Sequence, residues 1–288
     1  MKRLSPAARS LGTVTLVLIA LLGSAYAIGR SLVPDRPPAG VTTAATGPHY
    51  ADQERARSTD GPDGRGPAGT GQSPDPEPSP EPTVVNGIAT YGARSTTGTS
   101  TVALTFDDGP DPRYTPQVLA ILREFHVTAT FCVVGEMASA HPDLIRAIVA
   151  DGHTLCNHSW NHDVALGSRS RERIQADLLR TSEAIRAAVP DAPIAYYRQP
   201  GGAWTYAVVA VSRELGMTPL HWTVDPADWR APGAGRIAST VLTGVEPGAV
   251  VLLHDAGGDR QGTVDALYRI LPDLTSRFHV EALPPGTT

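Results

Sequence analysis

From residue 101 onward the chain alternates short apolar runs with longer stretches of helical periodicity. Residues 102–106, 127–134, 153–156, 194–197, 220–224, 249–253 and 278–283 are rich in Val, Ile, Leu, Phe and Thr. Five of the seven run into Gly, Asp, Arg or His, and all predict strands. Between them lie predicted helices. One over 115–126 is opened by Thr115 as cap with Pro116 at its first position, and one from Pro142 is closed near Gly152. A long one follows Ser168 or Ser170 and carries Ile174, Leu178 and Ile185 at helical spacing. Further helices cover 206–215, closed by Gly216, then 235–243 and 264–271. Repeated strand-then-helix units require a parallel sheet, closed or nearly so. The fold class is therefore α/β, a distorted TIM-like (β/α) barrel of about seven parallel strands.

Upstream the pattern is different. Lys2, Arg3 and Arg9 precede an uncharged, Leu/Val/Ile/Ala-rich run over 11–28, with Ala25-Tyr26-Ala27 as a small-x-small cleavage site. The run is near the ~20 residues that span a bilayer, so residues 1–32 form a hydrophobic helix that is either a cleaved signal peptide or an uncleaved membrane anchor. Either way the basic flank places the rest of the chain outside the cytoplasm, secreted or held on the outer face of the cell membrane. Residues 33–97 are dominated by Pro, Gly, Ser, Thr and Asp, as in the Ser73–Pro82 run of alternating prolines. Such a segment buries too little apolar surface to offset its ordering entropy and is expected to be a disordered spacer. The folded domain is then 98–288.

Composition narrows the function. A net charge of −5 with acids and bases mixed gives no basic patch and excludes nucleic acid as a partner. The chemistry gathers at predicted strand ends, which in a parallel barrel converge on one face. Asp107 and Asp108 follow the first strand. Two adjacent carboxylates repel unless a cation or a basic side chain separates their roles. His158 and His162, four apart in His158-Ser159-Trp160-Asn161-His162, would lie on one face of a helical turn and could grip one metal ion. The Glu of the HExxH zinc motif is missing between them, so the base must come from elsewhere, and the Asp pair offers it. Two imidazoles and one carboxylate leave coordination positions open, as catalytic metal sites do.

These motifs resemble the polysaccharide deacetylases of carbohydrate esterase family 4, the NodB homology domain. Thr105-Phe106-Asp107-Asp108-Gly109 and the His pair are followed in family order by Arg198-Gln199-Pro200-Gly201-Gly202, Asp225-Pro226-Ala227-Asp228-Trp229 and Leu252-Leu253-His254-Asp255. The resemblance covers residues 101–283. It implies Asp107 as general base, with Asp108, His158 and His162 as metal ligands. It implies that Arg198 orients Asp107, that Asp228 tunes His254, and that His254 is the general acid. Trp229 and Leu252 would shape the acetyl pocket. At Gly201 the family often carries an aromatic residue; here only a backbone N–H remains to stabilise an oxyanion, and the wall a ring would give is lacking.

The implied cofactor is a divalent ion, zinc by default for these donors, with cobalt or iron also fitting. The expected activity is hydrolysis of the N-acetyl amide of 2-acetamido sugars in peptidoglycan or chitin-type chains, releasing acetate, by a protein expected to act as a monomer. Rival readings are O-acetyl (xylan) esterase action, a catalytically silent carbohydrate-binding domain, and a metal-dependent peptide amidase. Asp225 is expected either at the site or capping its turn. Cys132 and Cys156 lie at matching depths of consecutive predicted strands; an oxidising compartment permits a disulfide, the alternative being two buried thiols.

Overall fold

The computed structural model describes residues 82–286, so the expectations for 1–81, the export segment and most of the spacer, lie outside the described residues. A short antiparallel pair, β1 (Val84–Val85) and β2 (Ile88–Ala89), precedes the main sheet. Six parallel strands then form a curled sheet: β3 (Ala103–Asp107), β4 (Thr130–Val133), β5 (Thr154–Asn157), β6 (Ile194–Tyr197), β7 (Thr218–Pro219) and β8 (Val250–His254), in the order β7-β6-β5-β4-β3-β8. Helices α1 (Thr115–Glu124), α2 (Gly135–Ala140), α3 (Pro142–Ala150), α4 (Arg171–Ala188), α5 (Tyr206–Glu214), α6 (Ala234–Gly244) and α7 (Gln261–Arg277) fill the crossovers. The curl nearly closes. Residues 218–224 begin beside β6 and end at a bridge from Val224 to Val251 of β8.

Strand periodicity sorts the core into two layers. Leu104, Phe106, Phe131, Val133, Leu155, Val251 and Leu253 point to the helices and form the main core, with the Phe106 and Phe131 rings stacked at 5.1 Å. The alternate positions Ala103, Cys132, Cys156, Tyr196, Val250 and Leu252 pack inside the curl. Each buried large side chain contributes roughly 1.5–3 kcal/mol. The inner layer also sets which polar strand ends face one another. Continued by period two, it runs from Ala103 to Asp107, from Cys156 to His158, from Tyr196 to Arg198 and from Leu252 to His254. A slip of one residue in any strand would turn that strand's polar end outward.

The structure departs from the sequence expectations in several places. Thr115 is the first residue of α1 and does not cap it; its hydroxyl bonds Asp255 at 2.6 Å. Ser170 caps α4, accepting from the Arg173 N–H. Residues 220–224 and 278–283 do not extend into full strands but contribute isolated bridges at Leu220, Val224 and Val280. The largest correction concerns residues 82–97, expected at the end of the spacer. They pack on the barrel. Strands β1 and β2 turn back on each other around Asn86-Gly87. Arg94 then bridges to Leu220 and Thr96 to Ala249, filling the gap between β7 and β8. The physical reason is local: Asn-Gly supplies the two positive φ values, 50° and 77°, of a tight hairpin turn between apolar pairs. Among the described residues no helix is long and apolar enough to cross a membrane.

Candidate active site

Asp107 ends β3 directly opposite His254 of β8, its register partner. Arg198, which follows β6 and is fully buried, reaches across the inside of the curl. Its Nη1 donates to Asp107 Oδ1 at 2.7 Å and to Thr105 Oγ1 at 2.8 Å, and its Nε donates to the Leu220 carbonyl at 3.2 Å. One carboxylate oxygen of Asp107 is thus tied to a fixed cation. The other, Oδ2, lies 3.7 Å from His158 Nε2.

Asp108 turns away from Asp107 because its backbone adopts φ 76°. Its Oδ1 lies 3.5 Å from His158 Nε2 and 3.3 Å from His162 Nε2. Ligand atoms of the three residues lie within 4.8 Å of one another. The donor chemistry fits a divalent cation. His158 Nδ1 sits 2.9 Å from the Arg198 carbonyl, which fixes N–H on Nδ1 and leaves the Nε2 lone pair facing Asp108. Burial lowers the His162 pKa to about 4, against the raising effect of the Asp108 charge, so this imidazole is neutral near pH 7, as a ligand must be. The His pair does not lie on a helical turn, as its spacing suggested. It sits on an irregular loop after β5, with Ser159 at φ 64° and His162 at φ 57° bending the chain so that both rings meet at 5.1 Å.

His254 is gripped by Asp228 from the short turn at Asp228–Arg230. Asp228 Oδ1 lies 2.7 Å from Nδ1, and Oδ2 accepts the His254 backbone N–H at 2.8 Å and the Thr263 hydroxyl at 2.7 Å. Burial would lower the His254 pKa, but the Asp228 charge and hydrogen bond, reinforced by Asp108 and Asp107, raise it to about 9. With Nδ1–H given to Asp228, Nε2 is the free end of the ring.

Asp107, His158, His162 and His254 line one cavity of about 190 Å³, with Gly201, Trp229 and Leu252 also in its wall. Asp225 lines it too, and its Oδ1 caps the turn by accepting the Ala227 N–H at 2.7 Å. Below the site Cys132 and Cys156, cross-strand partners on β4 and β5, are joined as a disulfide. Some residues escaped the sequence reading. Ile88 and Trp222 line the cavity, and Thr105 and Thr263 hold Arg198 and Asp228. Arg260 is buried, and its guanidinium donates only to backbone carbonyls, among them Trp229, Ala256 and Gly257. Thr105 and Trp222 sit two residues before, or close beside, motif residues of the inner layer. Nothing in the sequence pattern marks Arg260.

A carboxylate held by a buried guanidinium, a metal-type donor set and a carboxylate-backed imidazole, gathered around one cavity, are groups suited to hydrolysing an acyl bond. Comparison with known proteins narrows the class. Residues 94–220 match the polysaccharide deacetylase family model. The chain is 43% identical over 202 residues to a chitooligosaccharide deacetylase of Sinorhizobium fredii, covering 66% of this chain and 94% of that protein. It superimposes on the solved Bc1960 peptidoglycan N-acetylglucosamine deacetylase with a TM-score of 0.62 at 33% identity, covering 66% of this chain and 89% of the other. It also superimposes on BA3943, described as a family pseudoenzyme of Bacillus anthracis, with a TM-score of 0.61 at 26% identity over 66% of each chain. The chain belongs to the polysaccharide deacetylase family, carbohydrate esterase family 4.

Proposed function

We propose that the protein is a metal-dependent N-deacetylase that hydrolyses the N-acetyl amide of 2-acetamido sugars in a peptidoglycan- or chitin-type polysaccharide, releasing acetate and a free amine. The observation that carries this is the meeting, on one cavity, of Asp107, held by Arg198, and His254, held by Asp228, with the imidazoles of the Asp108–His158–His162 donor set. A pseudoenzyme of the same fold means that likeness alone does not settle activity; what supports the reading here is that both proton-transfer groups are present with their supports.

Asp108, His158 and His162 are the residues that would hold a divalent ion, zinc first on this donor set, with cobalt or iron compatible. When bound, such an ion supplies Lewis acidity, polarising the acyl oxygen and lowering the pKa of water. Asp107 takes the proton of the attacking water at Oδ2 while Arg198 keeps the carboxylate oriented. The Gly201 backbone, at φ 62° on the cavity edge, offers an N–H to the developing oxyanion. His254, protonated with its Nδ1 on Asp228, donates from Nε2 to the sugar nitrogen, which cannot leave as an anion. Trp229 and Leu252 receive the methyl group. The basic flank and apolar run of residues 1–28 support an extracytoplasmic site of action, where such polysaccharides lie.

The test is amine and acetate release from defined N-acetylated chito-oligosaccharides and peptidoglycan fragments by the chelated protein, before and after zinc is restored. Release that depends on added metal and vanishes in Asp107→Asn, with metal content unchanged, supports the reading. Sugar binding with no release on any acetylated glycan returns the silent binding domain.

A further inference from the structure

The cavity beside the acid–base residues has an apolar side built by Trp222, Trp229, Leu252 and Ile88. Ile88 comes from hairpin β1–β2, ahead of the six-stranded sheet, whereas Trp222, Trp229 and Leu252 follow β7 or lie on β8. The hairpin is closed on itself by the Thr90 N–H donating to the Thr83 carbonyl at 2.7 Å, and it is held to the barrel at its turn, where Asn86 Nδ2 donates to the Thr223 carbonyl at 2.8 Å, and beyond β2, where the Arg94 carbonyl accepts the His221 N–H at 2.7 Å. Ile88, half-buried, packs against the inner apolar cluster that contains Trp222 and Leu252.

The flank it occupies is one the barrel leaves bare. Gly201 and Gly202 present no side chain there, and a Cβ on Gly202 would sit 2.9 Å from the Trp222 ring and 3.6 Å from Ile88 Cδ1. The tip of Ile88 thus fills space beside a glycine and the Trp222 ring, on the same cavity as Trp229 and Leu252, which receive an acyl methyl. Resting on the N-deacetylase reading, we infer that Ile88 is the end wall of the acyl pocket and restricts the enzyme to acetyl-sized groups, which makes hairpin β1–β2 a specificity element supplied from ahead of the main sheet. Longer acyl chains reach the Ile88 side chain before the amide carbon reaches Asp107. One methylene in an apolar pocket changes kcat/KM by about 10–200-fold, so one branched side chain suffices to discriminate.

The experiment compares the zinc-loaded full chain with its Ile88→Ala and Ile88→Phe variants on chito-oligosaccharides of one length bearing N-acetyl, N-propionyl or N-butyryl groups, reading amine release. The propionyl-to-acetyl ratio of kcat/KM is expected to rise about tenfold or more in Ile88→Ala and to fall in Ile88→Phe. Equal losses on all three substrates, or ratios unchanged in both variants while the unaltered protein turns over acetyl sugar, overturn the assignment to Ile88 alone. No amine release by the unaltered protein from any acyl sugar overturns the deacetylase reading and this one with it.

Discussion

Asp108 at φ 76°, His162 at φ 57° and Ala227 at φ 52° hold backbone conformations that cost a non-glycine residue roughly 1–2 kcal/mol each. Two are candidate metal ligands and the third precedes Asp228, so the strain lies where it aims functional side chains. Their surroundings enforce it. Gly257 has φ 76°, and a Cβ there would lie 2.4 Å from Asp108 Oδ2. Gly257→Ala should therefore push Asp108 off the donor set and lower metal affinity by about 10–100-fold, measured by competition with a chromogenic chelator; unchanged affinity would mean that Asp108 is not a ligand. The His254–Asp228 pair yields a signed pH prediction. With the His254 pKa raised from 6.5 to about 9, the acid form persists through neutrality, and kcat/KM should fall as pH rises through about 9. Asp228→Asn removes the raising charge and should bring that alkaline limb down toward about 6.5. The same shift makes the pair stabilising below about pH 6.5, a contribution lost as pH rises through about 9. A limb that stays in place in Asp228→Asn would separate it from His254.

The strand pattern carried most of the fold. Apolar runs at β3, β5, β6 and β8 predicted strands with Asp107, His158, Arg198 and His254 at or just past their ends, and in the structure period two brings those positions to the inner layer. What stayed hidden was long-range or irregular. The His158–His162 geometry depends on two positive φ values that spacing cannot reveal. The Asn86-Gly87 turn was legible in principle, since Val84-Val85 and Ile88-Ala89 flank it, but proline-rich composition around it masked a hairpin of two-residue strands. Arg260 had no signal, because its partners are carbonyls from two separate loops. It ties the turn carrying Asp228 and Trp229 to the loop after β8, and Thr263 one turn further along α7 bonds Asp228 itself. Arg260→Met should lower kcat with smaller change in KM and shift the alkaline limb of the pH profile, while Arg260→Lys recovers part of both; a variant that loses only thermal stability would make Arg260 structural. The disulfide acts on a different element pair. It links β4 to β5 across a separation of 24 residues, so Cys132→Ala/Cys156→Ala should lose about 3 kcal/mol in urea unfolding.

At the scale of the whole molecule the question is where the catalytic unit begins. Composition placed the boundary at residue 98, whereas the packing places residues 83–97 on the barrel. Ala93 is buried, Arg94 and Thr96 bridge the two sides of the gap between β7 and β8, and Ile88 reaches the cavity. A parallel sheet exposes unpaired backbone groups wherever its curl fails to close, and each such buried group costs about 1–3 kcal/mol when its partner is removed. The segment supplies partners there, with the Arg94 N–H donating to Pro219, the Thr97 N–H donating to Gly248 and the Arg94 carbonyl accepting from His221. Two truncations separate the boundaries. A chain lacking residues 1–81 keeps every contact described for the barrel and should retain the melting temperature, metal affinity and turnover of the full protein's folded unit. A chain lacking residues 1–97 opens the gap and removes the Ile88 wall; it should melt several degrees lower, since about 1 kcal/mol shifts the midpoint by roughly 2–4 °C at this size, and should lose acyl selectivity before it loses metal. Equal melting temperatures and equal selectivity in the two truncations would return residues 82–97 to the spacer.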